Sequence, residues 1–459
     1  MKITIIGAGP GGYEAAIYAA KKGAEVVLIE KDSFGGTCLN RGCIPTKAFL
    51  ASSSVLEMAH EAKSYGIKID GTIEPEYSKI VDRKNKVVAG LVKGIGALLT
   101  ANNVTQIKGF GKIVDKNTIE VTKDDGTIET VTTDYIVLGM GSVPTTPGMF
   151  KYDGNRVITS DEILDMKEAP QSVILVGGGV IGTEIGQFLA AMGTKVTIVE
   201  MMDRLLPTMD EDVSKQLARQ FKKDKINVIT SNGIAEVLPS SGSVEVVLQS
   251  GDKLSADYLL VAIGRMPFTK DCGLENVGIE FTEWGGRVKV NEYLQTNVDN
   301  IYAIGDLIDT AMLAHVATYE GICAIDNIMG KQWSPKYHAV PGCVYTTPAI
   351  ASVGATELEL QKEGKTYNTG TFDFRGLGKA QASGHIAGFV KVIADENDVL
   401  IGASIVGDTA TDMLQVLTLA VQLGLTSEQM LQSIFPHPTM CEAILEALHD
   451  LHGLSIHKL

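Results

Sequence analysis

Apolar residues in this chain fall in short continuous blocks that stop at glycine-rich turns, and each turn opens a helical stretch. Ile3-Thr4-Ile5-Ile6 is the first block. Such a run, bounded by a glycine turn, predicts a strand. It ends at Gly7-Ala8-Gly9-Pro10-Gly11-Gly12, an alanine-rich helix is predicted to about Lys22, and a second strand, Glu25-Val26-Val27-Leu28-Ile29, finishes at Glu30. In that order, Gly7, Gly9 and Gly12 permit a tight turn and close approach of a pyrophosphate. The helix start offers that anion free N–H groups and the positive end of a dipole. Glu30 stands where a carboxylate accepts hydrogen bonds from ribose hydroxyls.

The unit recurs. Ser172-Val173-Ile174-Leu175-Val176 is the strand and Gly177-Gly178-Gly179-Val180-Ile181-Gly182 the turn; Thr183 to Met192 is the predicted helix, and Val196-Thr197-Ile198-Val199 runs into Glu200. Gly7 to Glu30 and Gly177 to Glu200 span the same 23 residues. Each unit closes on a similar strand, Asp134 to Gly141 and Asp257 to Gly264. One glycine-rich turn is weak evidence, but two copies in matching context predict an α/β protein with two Rossmann-like dinucleotide sites. Gly177, Gly179, Gly182, Glu200 and Gly264 are candidates for the second site. Glu200 favours NAD over NADP, because a carboxylate accepts from a free 2′-hydroxyl and repels a 2′-phosphate; Arg204 nearby weakens the preference slightly.

A length of 459 residues allows about three domains. The chain is 45% hydrophobic and 21% charged, an ordinary globular balance that needs no disulfide staples. The net charge of −15 argues against nucleic acid as a partner. No apolar run approaches the roughly 18 residues of a membrane span. Met1-Lys2 leads directly into the first strand, so no signal or transit peptide is expected and the expected location is cytoplasmic. In a reducing compartment, a close pair among the six cysteines is catalytic or metal-binding.

That pair is Cys38 and Cys43, within Phe34-Gly35-Gly36-Thr37-Cys38-Leu39-Asn40-Arg41-Gly42-Cys43-Ile44-Pro45-Thr46-Lys47. A metal site needs about four ligands. No second close Cys/His pair supplies the rest, so a redox pair is expected and no metal. Near the other end lies Ser433-Ile434-Phe435-Pro436-His437-Pro438-Thr439-Met440-Cys441-Glu442. Pro438 suits a first helical position, which predicts a helix through Leu448 with Glu442 about one turn along. A histidine with a carboxylate beside it can exchange protons near neutrality. On spacing alone, a capped, satisfied surface histidine is the favoured reading.

The segment around Cys38 and Cys43 closely resembles the redox motif of the flavin-dependent pyridine nucleotide–disulfide oxidoreductases. Its Cys-Leu-Asn form is similar to that of the dihydrolipoamide dehydrogenase branch. The resemblance extends over essentially the whole chain. Thr296 to Asp306 is similar to a second flavin motif and is followed by Met312-Leu313-Ala314-His315; Leu205-Leu206-Pro207 with Asp210, Arg375 to Ala382 and Gly388 to Val392 also match.

The resemblance implies FAD in the first half, with Gly111 at the adenine, Ser142 and Ala314 at the flavin, and Asp306 on the ribityl chain. It implies NAD in the second half. Cys38 would be the interchange thiol, Cys43 the thiol against the flavin, Lys47 a cation near the flavin's reactive nitrogen and Glu184 its partner. His437 and Glu442 would form a base pair reaching the other subunit's site, hence a homodimer. The implied reaction oxidises protein-bound dihydrolipoamide with reduction of NAD, as a component of a 2-oxo acid dehydrogenase or glycine cleavage system. The partner would be a separate lipoylated carrier.

The implied domains are FAD-binding at 1–142 completed by 271–337, NAD-binding at 143–270, and an α+β dimerisation domain at 338–459. Several positions depart from the pattern. Gly139-Met140 replaces Ala-Thr beside the flavin, Phe435-Pro436 replaces His-Ala, Cys441 replaces serine as a small buried side chain, and Phe268 replaces asparagine as a surface change. Among rivals, a glutathione-type reductase prefers NADP, and a mercuric reductase carries a C-terminal cysteine pair that Leu454 to Leu459 lacks. A flavoprotein that has lost catalysis is the rival outside the enzymes.

Overall fold

The computed structural model describes residues 1–283 and 285–458. The first sheet is parallel and runs Ile301–Ala303, Tyr135–Leu138, Lys2–Ile6, Glu25–Glu30, Thr105–Lys108. Ile3, Thr4 and Ile5 at its centre are fully buried, which is why that strand reads as one apolar run. The helix Pro10–Lys21 packs on the helix Ala314–Ile328. Their contact needs glycine: a methyl group at Gly11 would lie 2.7 Å from the Ala317 carbonyl oxygen, and one at Gly321 2.6 Å from that of Gly11.

The second parallel sheet runs Asn227–Ile229, Lys195–Val199, Ser172–Val176, Tyr258–Val261, Val157–Ile158. Its helix is Val180–Ala191, opening three residues earlier than expected. Each half also carries a three-stranded antiparallel meander, Phe110–Asp115 to Ile128–Thr132 in one and Ile234–Pro239 to Lys253–Ala256 in the other. The last third is a five-stranded antiparallel sheet, Gly342–Val344, Ile350–Gly354, Leu400–Val406, Phe389–Ala394, Asn368–Asp373. The helices Ala410–Leu423 and Glu442–Asp450 pack against it.

Two joints fix these regions to one another. Phe49, on the helix Cys43–Glu61, stacks on Phe188 of the second half with centroids 4.5 Å apart and planes 11° from parallel. Lys391, only 2% exposed, places its Nζ 2.7 Å from Asp210, 2.9 Å from Asp212 and 2.8 Å from Glu357. Burial alone would lower its pKa, but the surrounding carboxylates push it up instead. Among the described residues no helix is long and apolar enough to cross a membrane.

Candidate active site

The two glycine turns have the same construction. Gly7 has φ of +100° and Gly177 +105°; a methyl group at Gly7 would lie 2.2 Å from the Gly139 carbonyl oxygen, and one at Gly177 2.4 Å from that of Ala262. Gly12 and Gly182 meet the carbonyls of Gly7 and Gly177 at 1.9 and 2.0 Å in the same way. Gly9 and Gly179, at the two helix N-caps, differ: a methyl group there meets nothing within 4 Å. That open space at a helix N-terminus, repeated in both halves, fits a dinucleotide pyrophosphate.

Glu30 and Glu200 also match. Glu30 accepts from the backbone N–H of Ala8 at 2.7 Å and of Asp32 at 2.8 Å; Glu200 accepts from Gly178 at 2.6 Å and Met202 at 2.7 Å. Each carboxylate therefore ties its own turn together and keeps lone pairs for a ribose. Burial pushes the Glu30 pKa up against those two backbone bonds.

Both turns open on one cleft of about 1850 Å³. Its walls carry most of the expected residues: Gly7, Gly9, Gly12 and Glu30; Cys38, Cys43 and Lys47; Ser142, Asp306 and Ala314; Gly177, Gly179, Glu184, Glu200 and Gly264. Gly111, Gly182, His437 and Glu442 do not line it. Gly111 lies on the strand Phe110–Asp115, where an added methyl group would press on Ile29 and Ile6 at 3.2 and 3.3 Å.

Cys38 sits in the short helix Gly36–Arg41, and Cys43 opens the helix Cys43–Glu61 after Gly42. Both are free thiols, and they are unequal. A hydrogen bond from Cys38 is the largest influence on Cys43; burial opposes it, Lys47 assists, and the Cys43 pKa falls to about 7. The same hydrogen bond, then burial, push the Cys38 pKa far up. The arrangement favours the thiolate at Cys43 and the thiol at Cys38.

Lys47 is one turn along from Cys43, and its Nζ lies 2.6 Å from Glu184 Oε2. Glu184, buried at 3% exposure, also accepts from the Tyr345 N–H at 2.8 Å, and Lys47 stands 4.5 Å from the centre of the Tyr345 ring. One ion pair thus joins the first half, the second half and the last third. Sequence reasoning missed Tyr345, because a backbone N–H leaves no mark in a motif. It missed Arg265 too, which donates to Ser142 Oγ at 2.7 Å and Ser142 O at 2.8 Å, while Ser142 Oγ donates to Asp306. Buried Glu320 accepts from the Gly305 N–H at 2.6 Å and holds the Asp306 turn.

His437 Nδ1 lies 2.8 Å from Glu442 Oε1, and Glu442 Oε2 accepts from the Thr439 N–H at 2.9 Å. Burial alone would raise the Glu442 pKa, but these bonds outweigh it and lower the pKa. The helix begins at Glu442, not Pro438; residues 437–441 form turns after a cis His437–Pro438 bond, because Glu442 reaches back across them to Thr439. His437 is 77% exposed and stands outside its own chain's cleft lining. Cys441 is half-buried against the core of the last third.

Phe268 also differs from expectation. It is half-buried, edge-on to Phe110, with Lys31 Nζ 3.3 Å above its ring centre. Among the described residues, no group of three or more His, Cys, Asp or Glu is placed to hold a metal ion.

A family model described as pyridine nucleotide-disulphide oxidoreductase matches residues 1–321, and the dimerisation domain of the same family matches residues 340–448. The chain is 40% identical over 473 residues to dihydrolipoyl dehydrogenase of Bacillus subtilis, covering 99% of this chain and 98% of that one. It is 39% identical over 465 residues to mitochondrial dihydrolipoyl dehydrogenase of Dictyostelium discoideum, covering 99% and 95%. It superposes on the crystal structure of LpdA from Mycobacterium tuberculosis with a TM-score of 0.92, at 28% identity and with 98% and 99% of the two chains covered. These matches run from end to end of the architecture, and the chain therefore belongs to the pyridine nucleotide-disulphide oxidoreductases, enzymes that depend on FAD and NAD(P) and carry a domain for homodimer formation.

Proposed function

We propose that this chain oxidises dihydrolipoyl groups on a carrier protein and reduces NAD+ to NADH. The placing of Cys38 and Cys43 together on the cleft wall beside Lys47 carries the reading: in disulfide exchange one sulfur is attacked and the other leaves as a thiolate, which Lys47 favours at Cys43. The naming of full-length relatives as dihydrolipoyl dehydrogenases supports the substrate.

His437 Nδ1–H is held by Glu442, which leaves Nε2 as the base. It takes a proton from one substrate thiol, and the thiolate attacks Cys38 Sγ of a Cys38–Cys43 disulfide. That bond breaks, and Cys43 leaves as a thiolate favoured by its position at a helix start and by Lys47. The second substrate thiol, deprotonated in turn, attacks the substrate sulfur held on Cys38, closes the lipoyl disulfide and releases Cys38, which is reprotonated. The pair has then gained two electrons. When bound, FAD supplies the two-electron relay from Cys43 to the nicotinamide of NAD.

For the first half, Gly7, Gly9, Gly12, Glu30, Ser142, Asp306 and Ala314 would hold FAD; for the second, Gly177, Gly179, Glu200 and Gly264 would hold NAD. Lys47, steadied by Glu184, sets a fixed cation at the flavin end. Because His437 stands outside its own cleft, we assign it to the cleft of the partner subunit in the homodimer. The domain limits are then 1–142 with 271–337 for FAD, 143–270 for NAD, and 338–459 for dimerisation. Six free thiols suit a cytoplasmic setting.

The test is turnover of dihydrolipoamide with NAD by wild type and Cys38→Ser. Loss of at least about a thousandfold is expected for removal of an attacked sulfur; an undiminished rate would refute the dithiol route.

A further inference from the structure

Phe268 is a large ring on the wall of the cleft, and no residue of the proposed chemistry uses it. Its place is fixed from three sides. The preceding Pro267 pairs with Ser142 in a short antiparallel ladder, and the Phe268 N–H donates to the Gly141 carbonyl at 2.9 Å. Its ring meets Phe110 edge to face, with centroids 6.5 Å apart and planes at 89°. Lys31 covers it, with Nζ 3.3 Å from the centroid.

Lys31 directly succeeds Glu30, the carboxylate at the end of the second strand, which in this kind of unit marks the ribose of the adenosine. Phe110 is tied to the same point, since the Gly109 N–H donates to the Glu30 carbonyl at 2.9 Å. Ring, ammonium and ribose carboxylate therefore gather at one point of the first site, which the carboxylate marks as its adenosine end. Among the described residues, Lys31 has no carboxylate within ion-pair distance and holds its charge over an aromatic face instead. A ring lining a cleft while braced by a second ring and a cation suits a planar aromatic ligand that would cover it.

We propose that Phe268 and Lys31 form a wall against the adenosine of FAD and set how tightly the first half retains that dinucleotide. The proposal rests on FAD occupying that half. Phe268 is thus a positioning residue for the cofactor, acting at the end of the molecule that does no redox work. It lets the protein distinguish FAD from flavins that lack adenosine.

The test uses the full-length chain, stripped of flavin and titrated with FAD, FMN and ADP, in wild type, Phe268→Asn, Phe268→Tyr and Lys31→Met. Phe268→Asn is expected to weaken FAD and ADP alike by about tenfold, the scale of one lost base–aromatic contact, and to leave FMN unchanged. Phe268→Tyr restores both, and Lys31→Met shows a smaller loss of the same pattern. In Phe268→Asn the flavin-free chain is expected to lose less in melting temperature than the FAD-loaded chain does. Unchanged affinities for FAD and ADP in Phe268→Asn overturn the proposal. So does FMN weakened by the same factor, or a flavin-free chain destabilised as much as the loaded one, since either assigns Phe268 to packing alone. A wild type that binds no FAD overturns the underlying reading instead.

Discussion

The two nucleotide halves are nearly one design used twice, and they part company where the chemistry lies. Strand order, antiparallel meander, positive-φ glycine and the carboxylate bound to two backbone N–H groups recur in both. After Glu30 the first half inserts Cys38 in a short helix and Cys43 and Lys47 at the start of a long one. After Glu200 the second half inserts a loop, Met201 to Asp210, that seats Leu206 N–H on the Gly178 carbonyl at 2.9 Å and ends on Lys391. On the proposed reading the fold separates two tasks: the glycine turns bind, and the segment after each second strand sets the use to which binding is put.

Adding one methyl group to each copy is the strongest way to break that likeness. Gly7→Ala and Gly177→Ala each force a Cβ into a carbonyl at positive φ. Each is expected to destabilise the chain by about 3–5 kcal/mol. Calorimetry checks this, and absorbance separates the halves: Gly7→Ala loses its yellow colour, whereas Gly177→Ala keeps it but fails to reduce NAD. Equal loss of colour in both would mean that the halves are not separable sites.

Gly9→Ala and Gly179→Ala sharpen the point, because open space surrounds both positions in the protein itself. Melting should shift little, within about 0.5 kcal/mol. Gly179→Ala should raise the KM for NAD by about tenfold with flavin content intact, the scale of one lost contact, and Gly9→Ala should lower flavin content instead. Steady-state kinetics and flavin-to-protein ratios give the readout.

Glu200→Gln comes next. It keeps the shape but removes the charge that accepts from Gly178 and Met202, so the preference for NAD over NADP should erode by about tenfold. An unchanged ratio would take Glu200 out of cofactor choice.

The smallest effect concerns pH. The Cys43 pKa is lowered to about 7, so in the reduced protein its thiolate predominates above that pH and is protonated below it. Alkylation of Cys43 by iodoacetamide should slow as pH falls through about 7. Lys47→Met should move the midpoint upward, because the lysine is one of the groups lowering it. A profile centred near the ordinary thiol value in wild type would remove the asymmetry on which the exchange depends.

Much of this is legible in the sequence, because the repeated unit uses residues whose backbone needs are unusual. Gly7 and Gly177 must take positive φ, Gly12 and Gly182 must let a carbonyl pass, and Glu30 and Glu200 end buried strands. Contacts that reach a backbone amide or cross between distant regions leave no such trace. Tyr345 N–H on Glu184, Arg265 on Ser142 and Glu320 beneath Gly305 arise from the packing of whole segments, not from local spacing. Phe268 reads as a surface position for the same reason: its partners Phe110 and Lys31 lie more than a hundred residues away. At Pro438 a local rule gives the wrong helix start, because a carboxylate four residues on organises the turn instead.

The buried ammonium of Lys391 makes the molecule indivisible. Cutting off the last third would strip away that cation together with Glu357 and leave Asp210 and Asp212 repelling each other at the end of the loop after Glu200. The region that joins two copies is accordingly no detachable handle; it is a strut, and a shortened protein made from the first two thirds would begin to come apart at the loop that follows Glu200.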